Sequence, residues 1–173
     1  MKLTCKEGHN LFMPQFPVRP FFGGSELNFK IQLGTEWWNG DLTYPATSYG
    51  MKFAIGKCNY HKGGISFGFI YIEGKMYAYP RYYESIKSGT YKPHELDQYK
   101  IEIDGGWHEG LIIANGLQWW WDGVLLHSIS DVKVSHGWYA SPFIGRSGKD
   151  TGYDVNNPPA YAARLLTIQL KLL

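Results

Sequence analysis

Apolar and polar residues alternate with a period of two along much of this chain, and glycine-containing dipeptides interrupt the alternation at short intervals. No other feature limits the fold so strongly, because this pattern gives a strand one apolar face and gives a helix none. Leu27, Phe29, Ile31 and Leu33 alternate with Asn28, Lys30 and Gln32; Met51, Phe53 and Ile55 alternate with polar or small residues; Tyr99, Ile101 and Ile103 alternate with Lys100 and Glu102. Each stretch predicts a strand with one wet face. Residues 165–172 set Leu166, Ile168, Leu170 and Leu172 against Thr167, Gln169 and Lys171, which predicts a last strand docked on the core. Residues 64–72 and 111–114 are apolar on both faces, as strands covered on both sides are. Glu73-Gly74, Gly105-Gly106, Asn115-Gly116 and Asp122-Gly123 accept the positive φ angles of tight hairpins. Helical spacing is nearly absent, and only residues 158–164 suit a short helical turn. The expected class is therefore all-β and antiparallel, a two-sheet β-sandwich, jelly roll or barrel.

At 173 residues the chain is long enough to close one hydrophobic core, and 44% hydrophobic against 18% charged residues excludes a disordered polypeptide. Two parts are expected. In residues 1–22, Pro14, Pro17 and Pro20 recur among Phe12, Phe16 and Phe21, predicting an extended N-terminal arm without a ladder, able to reach a second copy in a homo-oligomer. Residues 23–173 form the single β-sandwich domain. With 17 Lys and Arg against 15 Asp and Glu, and no basic block, nucleic acid is not an expected partner. No apolar run reaches the roughly 18 residues of a membrane span, and the first ten residues carry no signal-peptide core. Localisation stays open, with a virion or an extracellular site after release both compatible.

Cys5 and Cys58 are too few for a disulfide scaffold. They can be thiols, a single bridge or, with His9 and His61, a Cys2His2 zinc set. Asp150, Asp154, Asn156 and Asn157 offer oxygens to calcium, in a spacing that matches no EF-hand; otherwise no cofactor is expected.

The stretch W-H-E-G-L-I-I-A-N-G-L-Q-W-W-W-D-G-V-L-L-H-S-I, residues 107–129, resembles the central signature of the concanavalin A-like and laminin-G-like domains. In that signature Trp-His precedes an apolar strand, a turn, an aromatic strand and an Asp-Gly turn. P-F-I-G-R-S from Pro142 and the closing A-A-R-L-L-T-I-Q-L-K-L are similar to that fold's last two strands. The resemblance covers about the C-terminal two fifths of the chain and implies a concanavalin A-like β-sandwich. It implies no single function, since the fold serves lectins, noncatalytic carbohydrate modules, glycoside hydrolases and polysaccharide lyases.

Neither enzyme signature of that fold is complete. The hydrolase pattern of two glutamates flanking an aspartate is nearest to Glu95-Leu96-Asp97-Gln98-Tyr99-Lys100, where Lys100 replaces the second carboxylate. Glu102 and Asp104 form a second same-face pair, common on any half-wet strand. Tyr83, Lys87, Gly89 and Tyr91 resemble the lyase run but precede Trp107, whereas in the lyases the run follows the Asp-Gly hairpin.

Aromatic residues carry the functional reading instead. Trp119, Trp120 and Trp121 are consecutive, so in a strand Trp119 and Trp121 join Leu117 on the core face, and Trp120 joins Gln118 and Asp122 on the wet face. Trp37, Trp38, Tyr82 and Tyr83 add rings that stack on a sugar or anchor a protein interface. The expected ligand-binding set is Trp120, Gln118, Trp37, Trp38, Tyr82 and Tyr83. The first reading is a noncatalytic carbohydrate-binding or adhesion module with a glycan as partner; the second is a structural subunit of a virion or extracellular filament; the third is a lyase or hydrolase.

Overall fold

The computed structural model describes residues 1–6, 20–22, 26–38, 47–53, 64–87, 90–133, 136–139, 143–144 and 165–173. These residues form two antiparallel sheets. The first has six strands, β1 (Lys2–Cys5), β14 (Leu166–Leu172), β3 (Glu26–Leu33), β9 (His108–Ile113), β10 (Asn115–Trp121) and β11 (Val124–Lys133), side by side in that order. The second runs β2 (Pro20–Phe22), β12 (His136–Tyr139), β4 (Thr47–Phe53), β5 (Gly64–Ile72), β6 (Lys75–Lys87) and β7 (Thr90–Glu95), with β13 (Phe143–Ile144) beside β4 and β8 (Ile101–Ile103) beside β6. The two-sheet antiparallel sandwich expected from the alternation is the fold of the chain.

The alternating segments supply the core. Leu27, Phe29, Ile31 and Leu33 from β3, Ile112 from β9, and Leu166, Ile168 and Leu170 from β14 are all buried. They face Ile65, Phe67 and Phe69 from β5 and Met76 and Ala78 from β6. Edge-to-face ring contacts join the sheets: Phe29 to Phe67 at 6.0 Å and Phe67 to Trp121 at 4.9 Å. Gly110 lies opposite Phe29, whose ring occupies the space a Cβ would need. In the second sheet Gly68 has the same relation to the ring of Tyr79.

Two of the expected hairpins have the anticipated turn chemistry. Glu73-Gly74 joins β5 to β6 with φ of 48° and 87°, and Asp122-Gly123 joins β10 to β11 with 47° and 79°. Gly116 is also left-handed, at 66°, beside a register shift between Asn115 and Leu117. Gly105-Gly106 is not a hairpin: β8 belongs to the second sheet and β9 to the first, so this pair carries the chain across the sandwich.

The 1–22 arm was expected to lack a ladder, and its two described ends correct that. Lys2–Cys5 pairs with β14, and Pro20–Phe22 pairs with β12, because each has a partner edge to satisfy its backbone groups. Residues 7–19, and with them most of the proposed oligomer contact, lie outside the described residues, as does the expected helical turn at 158–164. Among the described residues no helix is long and apolar enough to cross a membrane.

Candidate functional site

The signature residues Trp-His and Asp-Gly meet at one end of the six-stranded sheet. Asp122 Oδ1 accepts the amide hydrogen of Glu109 at 2.7 Å, and the Asp122 amide donates to the Glu109 carbonyl at 2.8 Å. The other carboxylate oxygen, Oδ2, accepts from His108 Nδ1 at 2.7 Å, while His108 Nε2 lies 3.3 Å from Asp104 Oδ1. Asp104 in turn accepts from the Gly106 amide at 2.6 Å. A histidine held between two carboxylates thus clasps the β10–β11 turn to the start of β9, and the His108 ring lies against Trp121 at 5.6 Å. Asp122 thus has two roles, the left-handed turn expected of Asp-Gly and the clasp.

Beside this clasp opens a cleft of about 430 Å³ lined by Lys30, Trp107, His108, Glu109, Asp122 and Gly123. The volume lies within the usual range for a small-molecule site, roughly 300–1,000 Å³. Its apolar wall is Trp107, which is 48% exposed. Lys30 and Glu109 face each other across neighbouring strands at 3.6 Å, both side chains 44% exposed, so the pair is loose and solvated. The row Lys30, Glu109, Asp122 therefore crosses β3, β9 and the end of β10 on the face that points away from the core.

Trp120 lies one row further along this face. Trp119 and Trp121 are fully buried, as is Leu117, while Trp120 is half-buried between its register partners Leu111 and Leu125. Gln118 holds the ring, its Oε1 accepting Trp120 Nε1 at 2.9 Å. Two residues of strand separate Trp120 from Asp122, about 7 Å along the sheet, so the cleft and the Trp120 ring share one surface. Trp107 was not among the expected ligand residues, because its place in the fold signature explained it. Its parity with Glu109 and Leu111, both outward-facing, was the signal.

The remaining expected ligand residues are placed elsewhere. Trp37 is fully buried, which corrects its reading as a wet ring. It sits in a 3-10 turn, Thr35–Trp38, where alternation does not apply, and its indole N–H donates to the Thr167 carbonyl at 2.8 Å. Trp38 is half-buried against the core, its carbonyl accepting from the Tyr71 hydroxyl at 3.5 Å. Tyr82 packs against the core, stacked on His94 at 4.3 Å and tilted against Trp119 at 6.1 Å. Tyr83 belongs to β6, but its side chain lies outside the described residues. So do Asp150, Asp154, Asn156 and Asn157 of the calcium reading, and Cys58, His9 and His61 of the zinc reading. Cys5 is buried in the core, where desolvation pushes its thiol up to about 11.

The same stack ends at His127, which lies against Tyr99 at 4.2 Å and Trp119 at 6.2 Å. Partial burial lowers its pKa below the ordinary 6.5. As pH falls through that ordinary value the unfolded chain takes up the proton before the folded one, so stability present above it is lost below it. The melting temperature should thus fall between about pH 7.5 and 5.5 more in the wild type than in His127→Asn, measured by thermal denaturation. Equal falls would show that other groups carry the dependence.

A second polar cluster lies on the outer face of the eight-stranded sheet. The Tyr79 hydroxyl donates to Glu95 Oε2 at 2.8 Å, and Arg81 Nε lies 2.6 Å from Glu95 Oε1, Arg81 being only 5% exposed. Burial, before the Glu95 charge, pushes the Tyr79 phenol far up, so it stays protonated and is no base near neutral pH. Glu95 ends β7, and the following Asp97–Tyr99 is a 3-10 turn. The hydrolase-like run of Glu95 to Lys100 therefore does not lie along one strand, and the same-face geometry that a retaining pair requires is absent there. Glu102 of the other carboxylate pair is engaged by Lys75 at 2.8 Å.

No protein-family model and no curated protein sequence matches the chain. Among solved structures it is similar to a marine PL7 alginate lyase from Zobellia galactanivorans, with a TM-score of 0.48 and 7% identity, over 90% of this chain and 65% of the lyase. The galectin LEC-6 of Caenorhabditis elegans gives 0.41 and 9% identity, over 93% of this chain and 94% of the galectin. An endo-β-1,4-glucuronan lyase from the fungus Trichoderma reesei gives 0.44 and 12% identity, over 99% of this chain and 77% of the lyase. The two antiparallel sheets described above give this chain its β-sandwich class by themselves.

Proposed function

We propose that this domain is a noncatalytic carbohydrate-binding module and that its ligand lies along the outer face of the six-stranded sheet, from Trp107 across the Lys30, Glu109 and Asp122 row to Trp120. One observation carries the reading: a half-exposed indole forms the wall of a cleft whose floor offers carboxylates and an ammonium. A pyranose presents an apolar face to an aromatic ring and a rim of hydroxyls to such groups. The Trp120 ring, about 7 Å further along, extends the surface to a second sugar unit.

Trp107→Ala should abolish retention on a glycan array while leaving stability within about 0.5 kcal/mol of wild type, since the ring is half in water and outside the core. Unchanged retention would remove this face as the site. A second reading, a structural subunit, draws on Val124 and Leu125, which are 53% and 42% exposed beside Trp120. It requires a salt-resistant oligomer in sedimentation that Leu125→Asp dissolves.

A further inference from the structure

We infer that this face takes a neutral saccharide and turns uronates away, because Glu109 and Asp122 line the same cleft as the exposed Trp107 indole, and Lys30, the ammonium among the lining groups, already faces Glu109. The inference rests on the carbohydrate-binding reading above and deepens it to a ligand class.

A ligand stacked on Trp107 turns its rim toward two carboxylates, which accept hydrogen bonds and donate none. Neutral sugar hydroxyls donate to them, and each such bond is charge-assisted. A uronate replaces a hydroxymethyl group by a third carboxylate, which has no proton to give and meets like charge. Asp104 adds a further carboxylate next to the lining His108, 3.3 Å from its Nε2.

The cations do not reverse this balance. Lys30, in its solvated pair with Glu109 at 3.6 Å, offsets one carboxylate and leaves Asp122 in excess, while the ring nitrogens of His108 face Asp122 and Asp104. Lys171, its register partner on β14, continues the same row away from the cleft. That places it two strands from Glu109, about 10 Å, and three from Asp122, about 14 Å, beyond the roughly 8 Å over which exposed charges act at physiological ionic strength. Asp122 is fixed by the amide of Glu109 and by His108, so it does not swing aside to admit an anion.

The test is titration calorimetry of the full chain with matched oligosaccharide pairs that differ only at C6: β-1,4-glucan and glucuronan, mannan and mannuronan, α-1,4-galactan and polygalacturonate. The neutral member of the recognised pair should bind at least about tenfold more tightly. Glu109→Gln should narrow that ratio by about threefold or more, and added salt should narrow it too. A uronate that binds as tightly as its neutral match, with both lost in Trp107→Ala, would overturn the selectivity and leave the carbohydrate reading standing. An unaltered ratio in Glu109→Gln would overturn the charge argument. Absence of binding throughout the panel, or binding indifferent to Trp107→Ala, would overturn the carbohydrate reading and the inference with it.

Discussion

Trp121→Ala should destabilise the domain by about 3–5 kcal/mol, and Trp119→Ala by a similar amount, while Trp120→Ala costs far less. Trp121 is fully buried where the two sheets meet, with Phe29, Phe67 and Phe69 packed edge-to-face at 6.5, 4.9 and 5.9 Å. Removing the indole leaves a cavity that a wall of rings on rigid strands fills poorly. The two tryptophans part company on substitution by phenylalanine. Trp119 Nε1 donates to the Ser66 carbonyl at 2.8 Å, tying the sheets together, whereas Trp121 Nε1 is buried without an acceptor among the described residues. Trp119→Phe should therefore lose about 1 kcal/mol of hydrogen bonding beyond its packing loss, and Trp121→Phe should lose packing alone. Urea denaturation of the five variants checks the order. If Trp120→Ala proved the most damaging, the assignment of faces along β10 would be reversed.

The second large effect is expected at Glu95. Arg81 and Tyr79 both converge on this carboxylate, on a face that is not the hydrophobic core, yet Arg81 and Tyr79 are almost wholly buried. Deleting one partner of a buried ion pair costs about 3–5 kcal/mol; because the Glu95 side chain is one-third exposed, about 2–3 kcal/mol is expected for Glu95→Ala. Glu95→Gln should cost less, since an amide oxygen still accepts the Tyr79 hydroxyl. In an Arg81→Met background, where no buried charge is left facing the gap, Glu95→Ala should cost markedly less than in the wild type. A double-mutant cycle in urea measures this. Additive losses would show that the pair is not coupled and that the cluster is held by packing alone.

Much of this architecture was legible because alternation is a local property. The inward row of β3, the inward Leu117, Trp119 and Trp121, and the left-handed turns at Gly74 and Gly123 all follow from which side of a strand a residue occupies and which dipeptides accept positive φ. Where the chain leaves strand geometry, the same rule misleads. Trp37 lies in a 3-10 turn, and its burial depends on a carbonyl from the last strand, 130 residues away. Gly105-Gly106 has hairpin composition, but its flanking strands bond to different neighbours.

What the sequence determined by itself was the class of the fold and the sidedness of the alternating strands, since both depend on neighbours two residues apart; residues 111–114, apolar on both faces, read as covered on both sides, whereas Leu111 and Ile113 are only half-buried on the outer face. Sheet order belongs to the tertiary structure, because pairing between strands is set by how all the apolar faces close on one core together. Only that closure puts Lys30 of β3, Glu109 of β9 and Asp122 at the end of β10 in one row below Trp107, and only pairing of β6 with β7 brings Arg81 to Glu95. The candidate binding face is thus a product of register between distant segments: each residue in it is an unremarkable outward position in its own strand, and no local pattern records that they meet.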